Sequence, residues 1–329
     1  MWIEDKFEDL SKLGPAGLTI GGFDGVHRGH QALLRCLVED AHEHSLEAIA
    51  LTFDPLPRQV LGKKHNDLLT NLKDRTTYLA NLGIDGVVVL PFNRDLAQTS
   101  AQDFIDMLAR HLDLRVLWVG PDFTLGQAQE GDVRFLQQAG KEYGFRVHTV
   151  GPFLWQGKPV HSTRIRHALR KGDVVSANAM LGRPYHLLGK VVEGEQRGRT
   201  LGFPTANLDV PPARLLPTNG IYVCRAHLAR GTFGAVVNVG IRPTFDEGVK
   251  TVEAHLLDFS ADIYGEQMEL EFLAYLRPEQ KFDKVEALVA QMQEDLAQAR
   301  VWLMGDMARS DAHAQSVACT NTMRVRQTK

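Results

Sequence analysis

Three cysteines in 329 residues, Cys36, Cys224 and Cys319, lie far apart and form no CxxC pair. That excludes a disulfide framework and a zinc site built mainly from cysteine. HExxH spacing is also missing, although thirteen histidines leave a histidine-based metal site open. No uninterrupted apolar run approaches the ~18 residues a membrane helix needs, so no membrane partner is expected. The acidic start Met1-Trp2-Ile3-Glu4-Asp5 lacks the charged-then-apolar form of a signal peptide, and a cytoplasmic location is expected. Nor is there an excess of one charge. Residues 1–181 carry 20 basic and 22 acidic side chains, and 182–304 carry 13 and 16. Neither half suits long nucleic acid, so any phosphate must be held by local geometry.

What is present is an ordinary 44% of hydrophobic residues over a length that exceeds one hydrophobic core. Two domains follow. In the first, β-rich runs (17–22, 48–53, 86–90, 116–119, 145–150) alternate with amphipathic stretches such as Leu33, Leu34, Leu37, Val38 and Ala41. Ser100 with Asp103 reads as a capping box opening another helix. Such alternation implies a doubly wound parallel sheet with its ligand beyond the C-terminal strand ends. After Leu181, runs at 187–193, 220–228, 233–239, 251–259 and 267–276 follow one another without helices. Gly and Pro punctuate them, which suggests an antiparallel barrel or sandwich. Val285, Leu288, Val289, Met292, Leu296 and Ala299 form the stripe of a long helix covering it. Residues 305–329 are polar and unpatterned and are expected to be disordered.

Gly21-Gly22-Phe23-Asp24-Gly25-Val26-His27-Arg28-Gly29-His30 directly follows the first strand run. Glycines let a backbone approach a nucleotide, and a following helix offers unpaired N–H groups to phosphate. Two imidazoles at that helix start can neutralise charge developing on phosphorus. A second segment, His161-Ser162-Thr163-Arg164-Ile165-Arg166, opens another helix; its hydroxyls and arginine suit a phosphate, or the hydroxyls merely cap the helix.

In the second half, Gly194–Asn207 reads GEQRGRTLGFPTAN. Arg197-Gly198-Arg199 is a basic loop suited to polyphosphate or substrate. In an extended stretch, Thr205 and Asn207 point the same way, as hard oxygen ligands for Mg²⁺ should; a simple turn is the other reading. Val237-Asn238-Val239-Gly240-Ile241-Arg242-Pro243-Thr244 is a tight loop after a strand. In Thr251–Phe259, Glu253 either faces solvent or faces a pocket, where it could take a proton from a substrate hydroxyl.

Taken together, GGFDGVHRGH, Thr52-Phe53-Asp54-Pro55, Leu90-Pro91-Phe92, Val119-Gly120-Pro121-Asp122-Phe123 and STRIR resemble the adenylyltransferase module of bacterial bifunctional riboflavin kinase/FAD synthetases. LGRPY, GRTLGFPTAN, NVGIRPTF, VEAHLLDF, Ile263-Tyr264-Gly265 and Leu276-Arg277 resemble the riboflavin kinase module of the same family. The chain departs from the family pattern at Leu56, at His161 and in the Lys/Arg-free stretch 124–131. The resemblance implies an α/β nucleotidyltransferase domain with a doubly wound parallel sheet (1–181), performing FMN adenylyltransfer. It also implies an antiparallel β-barrel riboflavin kinase domain closed by a long helix (182–304). It implies that His27 and His30 stabilise the transition state, that Ser162, Thr163 and Arg166 hold ATP phosphates, and that Gly22, Phe23, Asp24, Gly25 and Gly29 shape the ATP pocket. Glu253 would be the base, Thr205 and Asn207 the Mg²⁺ ligands, and Arg277 would lie near the flavin. Riboflavin and ATP would give FMN and ADP; FMN and ATP would give FAD and diphosphate. A kinase-only enzyme and a non-enzymatic flavin-binding regulator stand as alternatives.

Overall fold

The structure is a computed structural model that describes residues 1–6, 14–62, 67–194, 201–242 and 249–325, with 306–325 as backbone only. Arg197 and Gly198 fall outside the described residues. The chain divides into two compact units: the first is 1–167, 179–183 and 212–215, the second 168–178, 184–211 and 216–329.

The first unit contains β1 (Trp2–Glu4), β2 (Ala16–Ile20), α1 (Arg28–Glu43), β3 (Glu47–Phe53), α2 (Pro57–Leu61), α3 (Leu72–Asn81), β4 (Gly86–Leu90), α4 (Arg94–Gln98), α5 (Ala101–His111), β5 (Leu114–Val119), α6 (Val133–Tyr143) and β6 (Arg146–Thr149). The hairpin β7 (Leu154–Trp155) and β8 (Lys158–Pro159) follows, then α7 (Ser162–Arg170) and α8 (Val174–Leu181), of which residues 168–178 belong to the second unit. The sheet order is β1-β4-β3-β2-β5-β6, and every pairing is parallel. Alternating residues of one strand feed two cores: Ile49 and Leu51 pack with Phe104, Leu108 and Leu136, while Ala48 and Ala50 pack with Leu34, Leu37 and Leu79. Burial on both faces is why these strands read as continuous apolar runs. Ser100 caps α5 as its sequence implies, accepting from the Asp103 N–H at 3.0 Å. β1 escaped the sequence reading, having three residues only. Strand order reverses between β2 and β5, so the crevice beyond their C-terminal ends is the expected ligand position.

The second unit is a closed six-stranded antiparallel barrel, β10-β13-β12-β11-β14-β9, from β9 (Tyr185–Val192), β10 (Ala206–Asp209), β11 (Gly220–Leu228), β12 (Gly231–Arg242), β13 (Val249–Leu256) and β14 (Gln267–Arg277). Val191, Leu208, Val237 and Ala254 are buried, and their strand neighbours are less so. That period of two is the barrel's inside-outside alternation. The C-terminal helix, Val285–Val325, packs Ala299, Trp302 and Leu303 against Val223, Val236 and Ala274. It runs past residue 304, so 305–325, expected to be disordered, are helical. Ala, Met, Gln and Arg in that stretch are good helix formers, a preference that the search for an apolar stripe passes over.

Candidate active sites

The loop from Gly21 to His27 leaves β2 at the switch point and enters α1. His27 is the N-cap: its Nδ1 accepts the His30 N–H at 3.3 Å. An imidazole accepting at Nδ1 carries its proton on Nε2, so His27 presents a donor to whatever lies beyond the ring. The His30 ring stacks on it with centroids 3.6 Å apart, and the buried His30 Nδ1 has no hydrogen-bond partner. Burial, with electrostatic repulsion between the His27 and His161 rings as a second cause, pushes the His27 pKa down to about 3. Burial beside His27 and His161 holds His30 well below the ordinary histidine value as well. Both rings are therefore neutral, and both belong to the N-terminus of α1, where first-turn N–H groups favour an anion.

Glycine is required at two points. Gly25 has φ +85°, and a Cβ there would lie 2.9 Å from Leu69 Cδ1. At Gly29, a Cβ would press on the His27 ring at 3.1 Å. Gly22 and Phe23 are used differently. The Gly22 carbonyl accepts from Arg75, and the buried Phe23 ring meets His30 edge-on.

Asp24, expected to shape the ATP pocket, is buried and turned toward the segment 67–70 and Arg166. Its Oδ1 accepts the N–H groups of Leu69 (2.9 Å) and Thr70 (3.0 Å), and its Oδ2 pairs with Arg166. Arg166 was expected to hold ATP phosphates; instead its guanidinium is buried, bonded to Asp24 and to the Asp67 carbonyl at 2.9 Å. Ser162 donates to the Asp24 carbonyl at 2.9 Å, whereas Thr163 is exposed at the start of α7. Of the three expected phosphate ligands in this segment, only Thr163 is exposed, while Ser162 and Arg166 brace the loop.

Sequence reasoning missed the other braces. Arg183 donates to the Gly25 (2.6 Å) and Val26 (3.2 Å) carbonyls and lies over the Tyr78 ring, 3.6 Å from its centroid. Arg75, 1% exposed, donates to the Gly22 (3.0 Å) and Phe53 (2.9 Å) carbonyls. Arg75 left a readable signal: it falls on the face of α3 that also buries Thr76 and Leu79. An arginine on a buried stripe needs polar partners.

The second unit assembles its candidates by strand register. Asn207 on β10 pairs with Glu253 on β13, Glu253 with Asn238 on β12, Asn238 with Ile221 on β11, and Ile221 with Arg277 on β14. Asn207, Ile221, Asn238 and Glu253 are each half-buried between buried strand neighbours, so this row lies on the outer barrel face. A cavity of about 320 Å³ lies against that face, lined by Thr205, Asn238, Glu253, His255, Arg277 and, from the C-terminal helix, Leu288, Met292 and Leu296. A second cavity, about 440 Å³, is lined by Val191, Phe259, Asp262 and Tyr264, and Thr205 borders both. Asn207 lies in β10, which Ala206 opens directly after Thr205. The Arg277 side chain reaches Asp295 with two bonds, 2.8 and 2.7 Å, tying the helix to β14. His255, another residue the sequence reading left without a role, has its Nδ1 2.8 Å from the Pro204 carbonyl, one residue before Thr205.

The donors present fit a divalent cation of the Mg²⁺ type. A hydroxyl and an amide oxygen are hard ligands, and the Asn207 amide has room only because residue 194 is glycine, where a Cβ would lie 2.0 Å from Nδ2. Among the described residues no cluster of three His, Cys, Asp or Glu side chains could hold a metal ion by itself, so phosphate oxygens and water must complete such a shell. Among them, too, no helix is long and apolar enough to cross a membrane.

Two family models match the chain, FAD synthetase over residues 10–164 and riboflavin kinase over 181–303. Curated relatives named bifunctional riboflavin kinase/FMN adenylyltransferase include those of Escherichia coli (strain K12), 40% identical over 86% of this chain and 91% of the relative, and Haemophilus influenzae, 38% identical over 88% and 95%. The Bacillus subtilis relative is 35% identical over 86% and 90%. A crystal structure described as a macrolide-efflux protein from Streptococcus pneumoniae superposes with a TM-score of 0.83 at 32% identity, over 91% of this chain and 98% of that one. The chain belongs to the bifunctional riboflavin kinase/FMN adenylyltransferase family and carries both domains, one for phosphorylating riboflavin to FMN and one for adenylylating FMN to FAD.

Proposed function

We propose that the two steps are divided among the residues described above as follows. In the barrel, Glu253 takes the proton of the riboflavin 5′-hydroxyl as its oxygen bonds to the γ-phosphorus of ATP. The bond from that phosphorus to the β,γ-bridging oxygen breaks, and ADP leaves. The observation that carries this is Glu253 in the smaller cavity with Thr205 at the border of the larger one. The smaller cavity, walled by Leu288, Met292 and Leu296, suits the flavin ring, and the larger suits the nucleotide. Thr205 and Asn207 would hold Mg²⁺, which when bound neutralises phosphate charge. Arg277 fixes the helix that closes the flavin wall.

In the first unit, an FMN phosphate oxygen attacks the α-phosphorus of ATP and diphosphate leaves. His27 and His30, with the N-terminal N–H groups of α1, stabilise the developing charge. The fit for phosphate rests on the unpartnered, buried His30 Nδ1 and the donor tautomer of His27. Thr163 contacts phosphate, while Asp24, Ser162 and Arg166 keep the loop in shape. The efflux name belongs to the pneumococcal protein; a base beside a nucleotide-sized cavity is what favours synthesis for this chain.

The test is chromatographic. Purified protein is given riboflavin, ATP and Mg²⁺, and separately FMN, ATP and Mg²⁺. FMN and FAD are expected in the first run and FAD in the second. FMN in the first run with no FAD in either would leave a kinase alone, and no flavin product would leave a binding protein.

A further inference from the structure

Asn238 has a polar atom that neither step uses. Its Oδ1 is buried without a hydrogen-bond partner, yet the residue lines the smaller cavity beside Glu253, its cross-strand partner. Directly paired residues of an antiparallel ladder carry their side chains on one face about 5 Å apart. A buried amide oxygen left unpaired is costly, and such an atom in a cavity marks a place for a ligand donor. Two of the charged or ring side chains lining the cavity are otherwise engaged. Arg277 is bound to Asp295 and the Pro278 carbonyl, and His255 Nδ1 meets the Pro204 carbonyl. An ionised Glu253 is itself an acceptor. The Nδ2 end of Asn238 lies beside Gly240, where a Cβ would be 3.3 Å away.

The unpartnered Asn238 Oδ1 calls for a donor on the ligand beside the group that Glu253 meets. A polyhydroxy chain has both: one hydroxyl for Glu253, the next for Asn238. We propose that Asn238 Oδ1 accepts a hydrogen bond from the flavin side-chain hydroxyl next to the one phosphorylated, so that Asn238 selects a polyol-bearing flavin over one with a plain alkanol chain. This rests on Glu253 being the base in this cavity.

The experiment compares riboflavin with a flavin whose N10 chain is 5-hydroxypentyl, which keeps the reacting hydroxyl and lacks the others. Wild-type and Asn238→Ala proteins are assayed for phosphorylated product, with flavin affinity read by fluorescence quenching. For Asn238→Ala, kcat/KM for riboflavin is expected to fall at least about tenfold, with weaker quenching titrations, while the hydroxypentyl flavin changes less than about threefold. An equal fall on both substrates, or no change on either, overturns the proposal. So does a raised Mg²⁺ requirement with discrimination intact, which would make Asn238 a cation ligand. If Asn238→Ala does not fold, Asn238→Ser keeps an acceptor at shorter reach and is expected to show intermediate discrimination; wild-type discrimination, or equal loss on both flavins, counts against it. Wild-type protein that phosphorylates neither flavin would instead sink the reading of this cavity as the kinase site.

Discussion

In the first unit a loop contiguous in sequence is held by charges, the buried Asp24, Arg75 and Arg166 and the half-buried Arg183, the three arginines drawn from distant segments. In the second, polar residues scattered over four strands meet because antiparallel register places them in one row outside an apolar barrel interior. The contrast says where each site is vulnerable. The loop depends on buried electrostatic partners; the row depends on backbone pairing that no single side chain controls.

The largest effects should fall on the reacting groups and be crossed. Glu253→Gln is expected to lower FMN formation about 10²–10⁴-fold and leave FAD formation from supplied FMN within about twofold. His30→Ala should lower FAD formation about 10²–10³-fold and spare FMN. Steady-state assays of each half-reaction decide this; a variant that slowed both steps equally would erase the distinction between the sites.

Next come the braces. Asp24→Asn leaves the buried Arg166 charge uncompensated, for which a cost of about 3–5 kcal/mol is expected. Chemical denaturation of the first unit should show it, with FAD formation lost and FMN formation kept. The matching change in the barrel, Asp295→Asn, removes the charge partner of Arg277, whose side chain is 15% exposed and so partly screened by water. A cost on the order of 1–2 kcal/mol is expected, with the KM for riboflavin raised several-fold and kcat within about twofold. A larger loss at Asp295 than at Asp24 would reverse the comparison.

The same contrast sets what could be read from the amino acids alone. GGFDGVHRGH is legible because its chemistry is contiguous, and strand–helix alternation locates it at a strand end. Arg183 was not, because it acts on the Gly25 and Val26 carbonyls about 157 positions earlier in the chain, and no local pattern records such a bond. Arg166 was legible as a cation, but its bond to a buried carboxylate 142 residues away was not. In the barrel, alternation in Thr251–Phe259 put Glu253 on the same face as His255. Which residues stand beside it depends on register, and that kept Asn238 without a role until the pairing of β12 with β13 was seen.

The smallest expected effect concerns pH. His27 titrates near 3 in the fold against 6.5 when exposed, chiefly through burial, and His30 is shifted in the same direction. Below about pH 6.5 the unfolded chain takes up protons that the folded loop refuses, so stability is complete above that pH and declines as pH falls toward 3. The slope approaches ~1.4 kcal/mol per pH unit for each such group. His27→Asn separates titration from capping, because asparagine is a preferred N-cap and can still accept the His30 N–H. Hydrogen exchange of β2 and β3 amides, corrected for intrinsic rates, should show wild-type protection declining more steeply than that of His27→Asn between pH 6.5 and 5. Equal slopes would mean that His27 titrates as an exposed histidine, with the donor poised in the first unit by solvent rather than by burial.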